Sequence, residues 1–142
     1  ELAYNLGRRD PLERSGLVLA GFNQSSSRTG DDGVLTSLEI SNLDLSNTSL
    51  VVLSACETGL GVYQGYEGVY GLQRAFKKAG AGMVMVSLWE VPDAETFEFM
   101  FLFYEGWFSG SSVYAAHRNT LLKMREKYPD EPYKWAGFVL LQ

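Results

Sequence analysis

Residues 49–59 read SLVVLSACETG, an apolar run followed by a short polar segment that ends in glycine. A run rich in Val and Leu is typical of a strand buried on both faces of a sheet. In α/β folds, such strands deliver their last side chains to a cleft at the carboxyl edge of the sheet. The sequence therefore predicts that Cys56, the only cysteine of the chain, faces a cleft instead of the core.

The residues after this loop predict an amphipathic helix and a second buried strand. The apolar positions of the helix are Val69, Leu72, Phe76 and Ala79, and the polar positions opposite them are Gln73, Arg74, Lys77 and Lys78. Gly80-Ala81-Gly82 ends the helix, and residues 83–88, MVMVSL, indicate the strand. Strand, helix and strand in this order predict a right-handed parallel crossover.

Three features precede the cysteine strand. Residues 15–21, SGLVLAG, predict a short strand, and residues 22–33 predict a polar loop punctuated by glycine. Thr36 and Glu39 have the spacing of a capping box, so we expect a short helix that runs from there to about Leu43.

Two helices and a strand complete the chain. They are expected from about Ala94 to Phe108, from Ser111 or Ser112 to about Tyr128, and over Trp135–Leu141. We predict from this order of elements a single domain of the α/β class, a three-layer α/β/α sandwich with a mostly parallel sheet.

Composition limits the classes of function. The net charge is −5 and Lys and Arg form no cluster, which argues against nucleic acid and membrane partners because both need a basic patch. The longest purely apolar stretch, Phe99–Tyr104, is far shorter than the roughly 20 residues that cross a bilayer. One cysteine cannot form an internal disulfide, so we expect a reducing, cytoplasmic location.

The position of Cys56 has two interpretations. Free cysteine is often buried as a small apolar side chain. At a strand end before glycines it is also placed to be a nucleophile, which requires a base, normally His, within hydrogen-bond reach.

Five further stretches bear on this choice: residues 53–59 (LSACETG), 67–76 (EGVYGLQRAF), 79–81 (AGA), 87–96 (SLWEVPDAET) and 135–140 (WAGFVL). In this order they closely resemble the CHAT domain family, caspase-like and separase-like cysteine peptidases commonly found behind TPR repeats in bacterial proteins. The resemblance implies that residues 1–142 are the C-terminal part of a caspase-like domain whose N-terminal strands are missing.

By this resemblance Cys56 is the nucleophile of peptide-bond hydrolysis, and Glu57, Thr58 and Gly59 form the loop beside it. The thiolate would attack the scissile carbonyl, with backbone N–H groups near Cys56 holding the oxyanion. The implied partners are a protein or peptide substrate and TPR repeats in the same parent chain.

In this family the partner histidine lies upstream of the cysteine, in a His-Gly type turn. The only histidine here, His117, lies downstream in a predicted helix, in line with Val113, Leu121 and Met124. We expect it to pack or hydrogen-bond on that helix face and not to act as the base. Two explanations stay open: the parent protein supplies the histidine upstream, or the chain is a degenerate relative that serves as an inactive interaction or scaffold module.

Trp89, Glu90 and Asp93 follow the second strand and resemble the separase stretch whose acidic residue accepts a basic P1 side chain. Glu90 or Asp93 would then bind Arg or Lys of the substrate. The alternatives are that Asp93 is the N-cap of the next helix, that Glu90 is merely solvated, and that Trp89 is a packing residue.

A third class of function is nucleotide binding, suggested by Gly59-Leu60-Gly61 followed by Gly65. In such loops the glycines abut a helix N-terminus, whereas here the helix is expected to begin near Glu67. This spacing argues against nucleotide binding. We also predict no cofactor and no metal.

Overall fold

A computed structural model describes residues 15–20, 22, 33–53 and 66–142 of the chain. In chain order the elements are β1 (Gly16–Val18), β2 (Val34–Thr36), α1 (Ser37–Ile40), β3 (Leu50–Leu53), α2 (Tyr66–Lys78), β4 (Met83–Ser87), α3 (Asp93–Phe108), α4 (Val113–Lys127), a 3-10 helix (Pro132–Lys134) and β5 (Phe138–Leu141). This mixture of helices and strands confirms the α/β class.

The strands form two sheets. β4 lies between β3 and β5 in a three-stranded sheet, and Val84, Met85 and Val86 are at most 1% exposed. The predicted neighbours, β3 and β4 joined through α2, are confirmed. β1 and β2 form a separate antiparallel pair, with Gly16 opposite Thr36, which the predicted, mostly parallel sheet does not include. Periodicity within a strand does not identify the partner of that strand, so the pair is not visible in the sequence.

By packing, the chain divides into two compact units, and the division runs through β3 and β4. The first unit contains β1, β2, α1 and α2. The second contains α3, α4, the 3-10 helix and β5.

In the first unit, α1 begins with the predicted capping box. The Thr36 hydroxyl accepts a hydrogen bond from the Glu39 backbone N–H at 3.2 Å, and the Glu39 carboxylate accepts one from the Thr36 backbone N–H at 2.7 Å. Each side chain satisfies a backbone donor that the helix start leaves without a partner.

The end of α1 differs from the prediction, because the helix stops at Ile40 and not near Leu43. The Ser41 hydroxyl and the Asn42 side-chain amide both donate to the Leu38 carbonyl, at 2.8 and 3.0 Å. Short polar side chains compete in this way with the backbone hydrogen bonds that would continue a helix.

The apolar face of α2 is largely as predicted. Leu72, Phe76 and Ala79 are buried, and Gly80 follows the helix with a φ of 102°, a left-handed conformation that favours glycine. Gln73 was expected on the polar face and is instead 9% exposed. That part of the prediction is wrong because this helix is covered over a wider arc than its apolar residues indicate.

In the first unit, the hydroxyl groups of Ser15 and Ser37 lie close to α2. The Oγ atoms of Ser15 and Ser37 lie 2.7 Å apart in a buried hydrogen bond. A Cβ atom on Gly71 of α2 would lie only 2.4 Å from Ser15 Oγ. Glycine at position 71 therefore makes room for the serine pair.

In the second unit, α3 packs against α4 and β5 through aromatic rings. Phe99 and Phe103 are fully buried, and the Phe99 ring stacks on Phe138 of β5 with ring centroids 4.3 Å apart. The predicted cap of α4 is confirmed, since Ser112 Oγ accepts a hydrogen bond from the Ala115 backbone N–H at 3.2 Å. Among the helices of the described ranges, none has the length and hydropathy that crossing a bilayer requires.

The last strand begins at Phe138, three residues later than the predicted start at Trp135. Pro132 opens a 3-10 helix, and its carbonyl accepts hydrogen bonds from the backbone N–H groups of Trp135 and Ala136. These bonds hold residues 135–136 in a turn, so the first part of the apolar run is not a strand.

We predict that Phe99→Ala lowers the free energy of unfolding by about 3–5 kcal/mol, because it empties a fully buried ring site. The matched variant Phe97→Ala lies on the same helix at a site that is 73% exposed, and should change it by no more than about 0.5 kcal/mol. Urea denaturation followed by circular dichroism measures both. Equal effects of the two changes would contradict the burial of Phe99 and the exposure of Phe97.

Candidate active site

The predicted nucleophile loop, Cys56 with Glu57, Thr58 and Gly59, lies outside the described residues. The strand that leads to it is confirmed as β3, Leu50–Leu53, but its four residues are half-buried, so the prediction of a strand buried on both faces is wrong. The part of the predicted site that the structure describes is the segment after β4, which carries Trp89, Glu90 and Asp93.

This segment is tied to the loop before β5. Trp89 Nε1 donates a hydrogen bond to the Tyr133 carbonyl at 2.8 Å, and the Leu88 backbone N–H donates to the Gly137 carbonyl at 2.9 Å. The Ser87 hydroxyl donates to the Trp89 carbonyl. The backbone of Leu88 and the side chain of Trp89 are thus both held by hydrogen bonds, which fixes the path of the chain after β4.

Gly137 allows the indole of Trp89 to approach closely. A Cβ atom at position 137 would lie 3.0 Å from Trp89 Cε2 and 3.1 Å from Val91 Cγ2, tighter than ordinary contact. Trp89 is therefore a packing residue, as one of the two interpretations of the sequence had it. Because its side chain is still 38% exposed, part of the ring faces outward.

Glu90 is exposed and lies between the anchored Trp89 and the buried Val91. Within the described residues, no hydrogen bond or ion pair engages its carboxylate. Its backbone is held on both sides while its carboxylate is free of intramolecular partners in this part of the chain. That combination suits a group that contacts a ligand.

Asp93 is exposed as well, but the prediction that it caps α3 is wrong. Pro92 is the N-cap: its carbonyl accepts the first helical hydrogen bond, from Thr96 N at 2.9 Å, and among the described residues no side chain caps the helix. Asp93 is instead the first residue of the helix. There its negative charge interacts favourably with the helix dipole.

A cluster of ion pairs around Lys134 supports the same loop and was not predicted from the sequence. Lys134 Nζ lies 2.9 Å from Glu131 and 3.3 Å from Glu95 of α3, above the ring of Tyr128 at 4.8 Å. The hydrogen bond that Lys134 donates to the Glu131 carboxylate is the main cause of the raised pKa of Lys134. The Lys134–Glu95 ion pair connects the 3-10 helix to the first turn of α3, and the Lys134–Glu131 pair is local to the 3-10 helix.

His117 packs inside the second unit, as predicted. Its Nε2 lies 3.0 Å from the Phe138 carbonyl oxygen, and its ring meets the ring of Phe99 edge-on at 5.9 Å. A carbonyl only accepts hydrogen bonds, so Nε2 carries the proton. Burial lowers the pKa of His117, and the hydrogen bond to Phe138 opposes this only in part.

The described residues also bear on metal binding. Over residues 15–20, 22, 33–53 and 66–142, no group of three His, Cys, Asp or Glu side chains is arranged to hold a metal ion.

Comparison with known proteins identifies similar sequences. The sequence profile of the CHAT domain matches residues 5–142. Two curated relatives, the tetratricopeptide repeat protein 28 of Homo sapiens and that of Mus musculus, are each 35% identical over 109 residues. The match covers 76% of this chain and 4% of each relative, so the chain spans a small part of their length.

We predict that the imidazole of His117 titrates below the ordinary pKa of 6.5, because burial disfavours its charged form. Between the folded pKa and 6.5 the unfolded chain binds more protons. The contribution of neutral His117 to the free energy of unfolding is therefore fully present above pH 6.5. It decreases as the pH falls from 6.5 to the folded pKa. NMR titration of the single histidine measures the pKa directly, and His117→Gln should remove this part of the pH dependence of the urea midpoint. A pKa above 6.5 would contradict the buried, neutral histidine.

Proposed function

The chain belongs to the CHAT domain family, and on that basis we propose that its parent protein is a cysteine endopeptidase with Cys56 as the nucleophile. The main support for this proposal is the family match over residues 5–142, which includes the SACETG stretch around Cys56. Because the chain spans only 4% of the curated relatives, activity is proposed for the parent protein and not for this part alone.

We also propose the caspase-like architecture, a three-layer sandwich with a mostly parallel sheet. Two observations support it. β3 and β4 are neighbours in the sheet although α2 separates them in the chain, which is the arrangement of a crossover connection. β4 is buried along nearly its whole length, as a central strand of a covered sheet is.

The proposed chemistry is acyl transfer to sulfur followed by hydrolysis. The base takes the thiol proton, and the thiolate of Cys56 attacks the scissile carbonyl carbon. The C–N bond breaks as the same base returns the proton to the leaving amine, which leaves a thioester on Cys56. Water then attacks the thioester carbonyl, releases the acid product and regenerates the thiol.

The base in this scheme is a histidine of the parent protein outside these 142 residues. His117 is the only histidine of these 142 residues, and its Nε2–H donates a hydrogen bond to the Phe138 carbonyl. Its lowered pKa also makes it a weaker base than an ordinary imidazole.

Glu90 is proposed as the residue that recognises a basic P1 side chain, with Asp93 as the alternative. A carboxylate that meets Arg or Lys forms a charge-assisted hydrogen bond, and its strength depends on exact placement. The contacts of Trp89 with Tyr133 and Gly137 give the neighbouring Glu90 a fixed backbone. Trp89 would then form the wall beside it.

The second candidate function is an inactive, caspase-like interaction module. It is favoured by the structural role of His117, which leaves these residues without an available imidazole. The parent sequence decides between the two, because only the peptidase needs a histidine in a strand-end turn upstream of Cys56. In both cases we propose TPR repeats in the same parent chain, as the name of the relatives suggests, and a reducing, cytoplasmic location.

We predict that Cys56→Ala in the parent protein abolishes cleavage of a protein substrate, because no other thiol in this domain can form the acyl-enzyme. Cleavage is measured by gel electrophoresis, and the melting temperature confirms that the variant is folded. Cleavage that survives Cys56→Ala would refute the peptidase. A parent protein that has no upstream histidine and cleaves no substrate would support the interaction module instead.

We predict that Glu90→Gln lowers kcat/KM at least about tenfold for peptides with Arg at P1, since it removes a charge-assisted contact. Peptides with Ala at P1 should be little affected. Glu126→Gln, a change of an exposed glutamate on α4, is the matched control. Equal losses on both peptides would contradict a P1 role, and loss of Arg selectivity in Asp93→Asn alone would assign the pocket to Asp93.

A further inference from the structure

Helix α3 carries a second apolar face opposite its buried one. Phe97, Phe101, Tyr104 and Phe108 follow one another at spacings of four, three and four, which is the a/d pattern of helices that pack along a seam. We call these four residues the outer seam. Phe97, Phe101 and Phe108 are 73%, 57% and 77% exposed.

The side chains of the outer seam already contact one another. Phe97 stacks with Phe101 at 6.3 Å between ring centroids, and Tyr104 stacks with Phe108 at 5.6 Å. Together with Met100 and Glu105 they line a shallow groove of about 430 Å³. The surface is thus a continuous strip along the helix and not a set of isolated rings.

The apolar area of the outer seam is in the range of the largest apolar patch on a typical monomer. Covering an aromatic side chain removes about 150–250 Å² from water, so the three exposed phenylalanines offer roughly 300–500 Å². The largest apolar patch on a typical monomer is about 300–600 Å² and is often a binding site.

The charge of α3 indicates what covers it. The helix contains Asp93, Glu95, Glu98 and Glu105 and no Lys or Arg. Lys134 lies within ion-pair distance of Glu95, and Lys127 of Glu98. Among the described residues no ion pair engages Asp93 or Glu105, and Glu105 lies in the groove itself.

These charges discriminate between the occupants that an apolar strip could take. A second copy of α3 would bring acidic side chains against acidic side chains. An anionic membrane would repel the same carboxylates, and helices that lie on membranes are rich in Lys and Arg. A helix with an apolar stripe and flanking basic side chains matches both the spacing and the charge.

We propose that the outer seam is the docking site for a basic amphipathic helix of a partner protein. The partner places apolar side chains, repeated every three and four residues, between Phe97, Phe101, Tyr104 and Phe108. Its Lys or Arg side chains meet Glu105, which lines the groove. This surface does not involve Cys56, so the proposal stands whether or not the parent protein is a peptidase.

The test uses a fluorescently labelled helical peptide of about three heptads, with Leu at the seam positions and Lys beside them. Its binding to the 142-residue chain is measured by fluorescence anisotropy. We expect saturable binding, and at least about tenfold weaker binding of a peptide with Glu in place of Lys.

Variants of the chain locate the site. Phe101→Ser should weaken binding of the basic peptide at least about tenfold, because a central aromatic anchor is lost. Glu105→Gln should weaken it about twofold to fivefold. Leu43→Ser changes an apolar side chain outside α3 that is 44% exposed, and should leave binding unchanged. Melting temperatures confirm that the three variants are folded.

Three results would overturn the proposal. The first is equal binding of the basic peptide by Phe101→Ser and the unchanged chain. The second is a dimer in analytical ultracentrifugation that Phe101→Ser converts to monomer, since the outer seam would then bind a second copy. The third is binding to anionic phospholipid vesicles that Phe101→Ser abolishes.

Discussion

The second unit is organised around Phe138, the first residue of β5, and Gly137 immediately before it. The Phe138 ring stacks on Phe99, and the Phe138 carbonyl accepts the hydrogen bond of His117. One residue earlier, the Gly137 carbonyl receives the Leu88 N–H, and the Gly137 Cα lies against the indole of Trp89. Helix α3, helix α4 and the segment after β4 therefore take their positions from the same short stretch of backbone.

This arrangement supports the role in ligand binding that is proposed for Glu90, although the residue is exposed. An exposed carboxylate on a mobile loop loses conformational entropy when it binds, which reduces the net affinity. Here Trp89 and Val91 on either side of Glu90 are packed, so only the glutamate side chain remains to be ordered. The rigidity is supplied by residues that are distant in sequence, since Trp89 and Tyr133 are 44 positions apart.

Separation in sequence also explains which parts of the structure could be predicted. The capping box of Thr36 and Glu39, the cap at Ser112 and the strand β4 depend on neighbours within a few residues, and these predictions are confirmed. The pairing of β1 with β2 and the burial of Gln73 depend on other elements and were not found.

For the candidate site, the sequence identified the segment that carries Trp89 and Glu90 but not what holds it. Trp89 is held by the backbone carbonyl of Tyr133 and packs closely against Gly137, which has no side chain. Neither contact depends on a side chain at position 133 or 137 that a sequence pattern could reveal. In the first unit, Gly71 has a comparable effect on Ser15, whose hydroxyl occupies the space that any larger residue at 71 would need. Since Ser15 is also hydrogen-bonded to buried Ser37, a side chain at position 71 would require changes at Ser15 and Ser37 as well, and the three sites are expected to be energetically coupled.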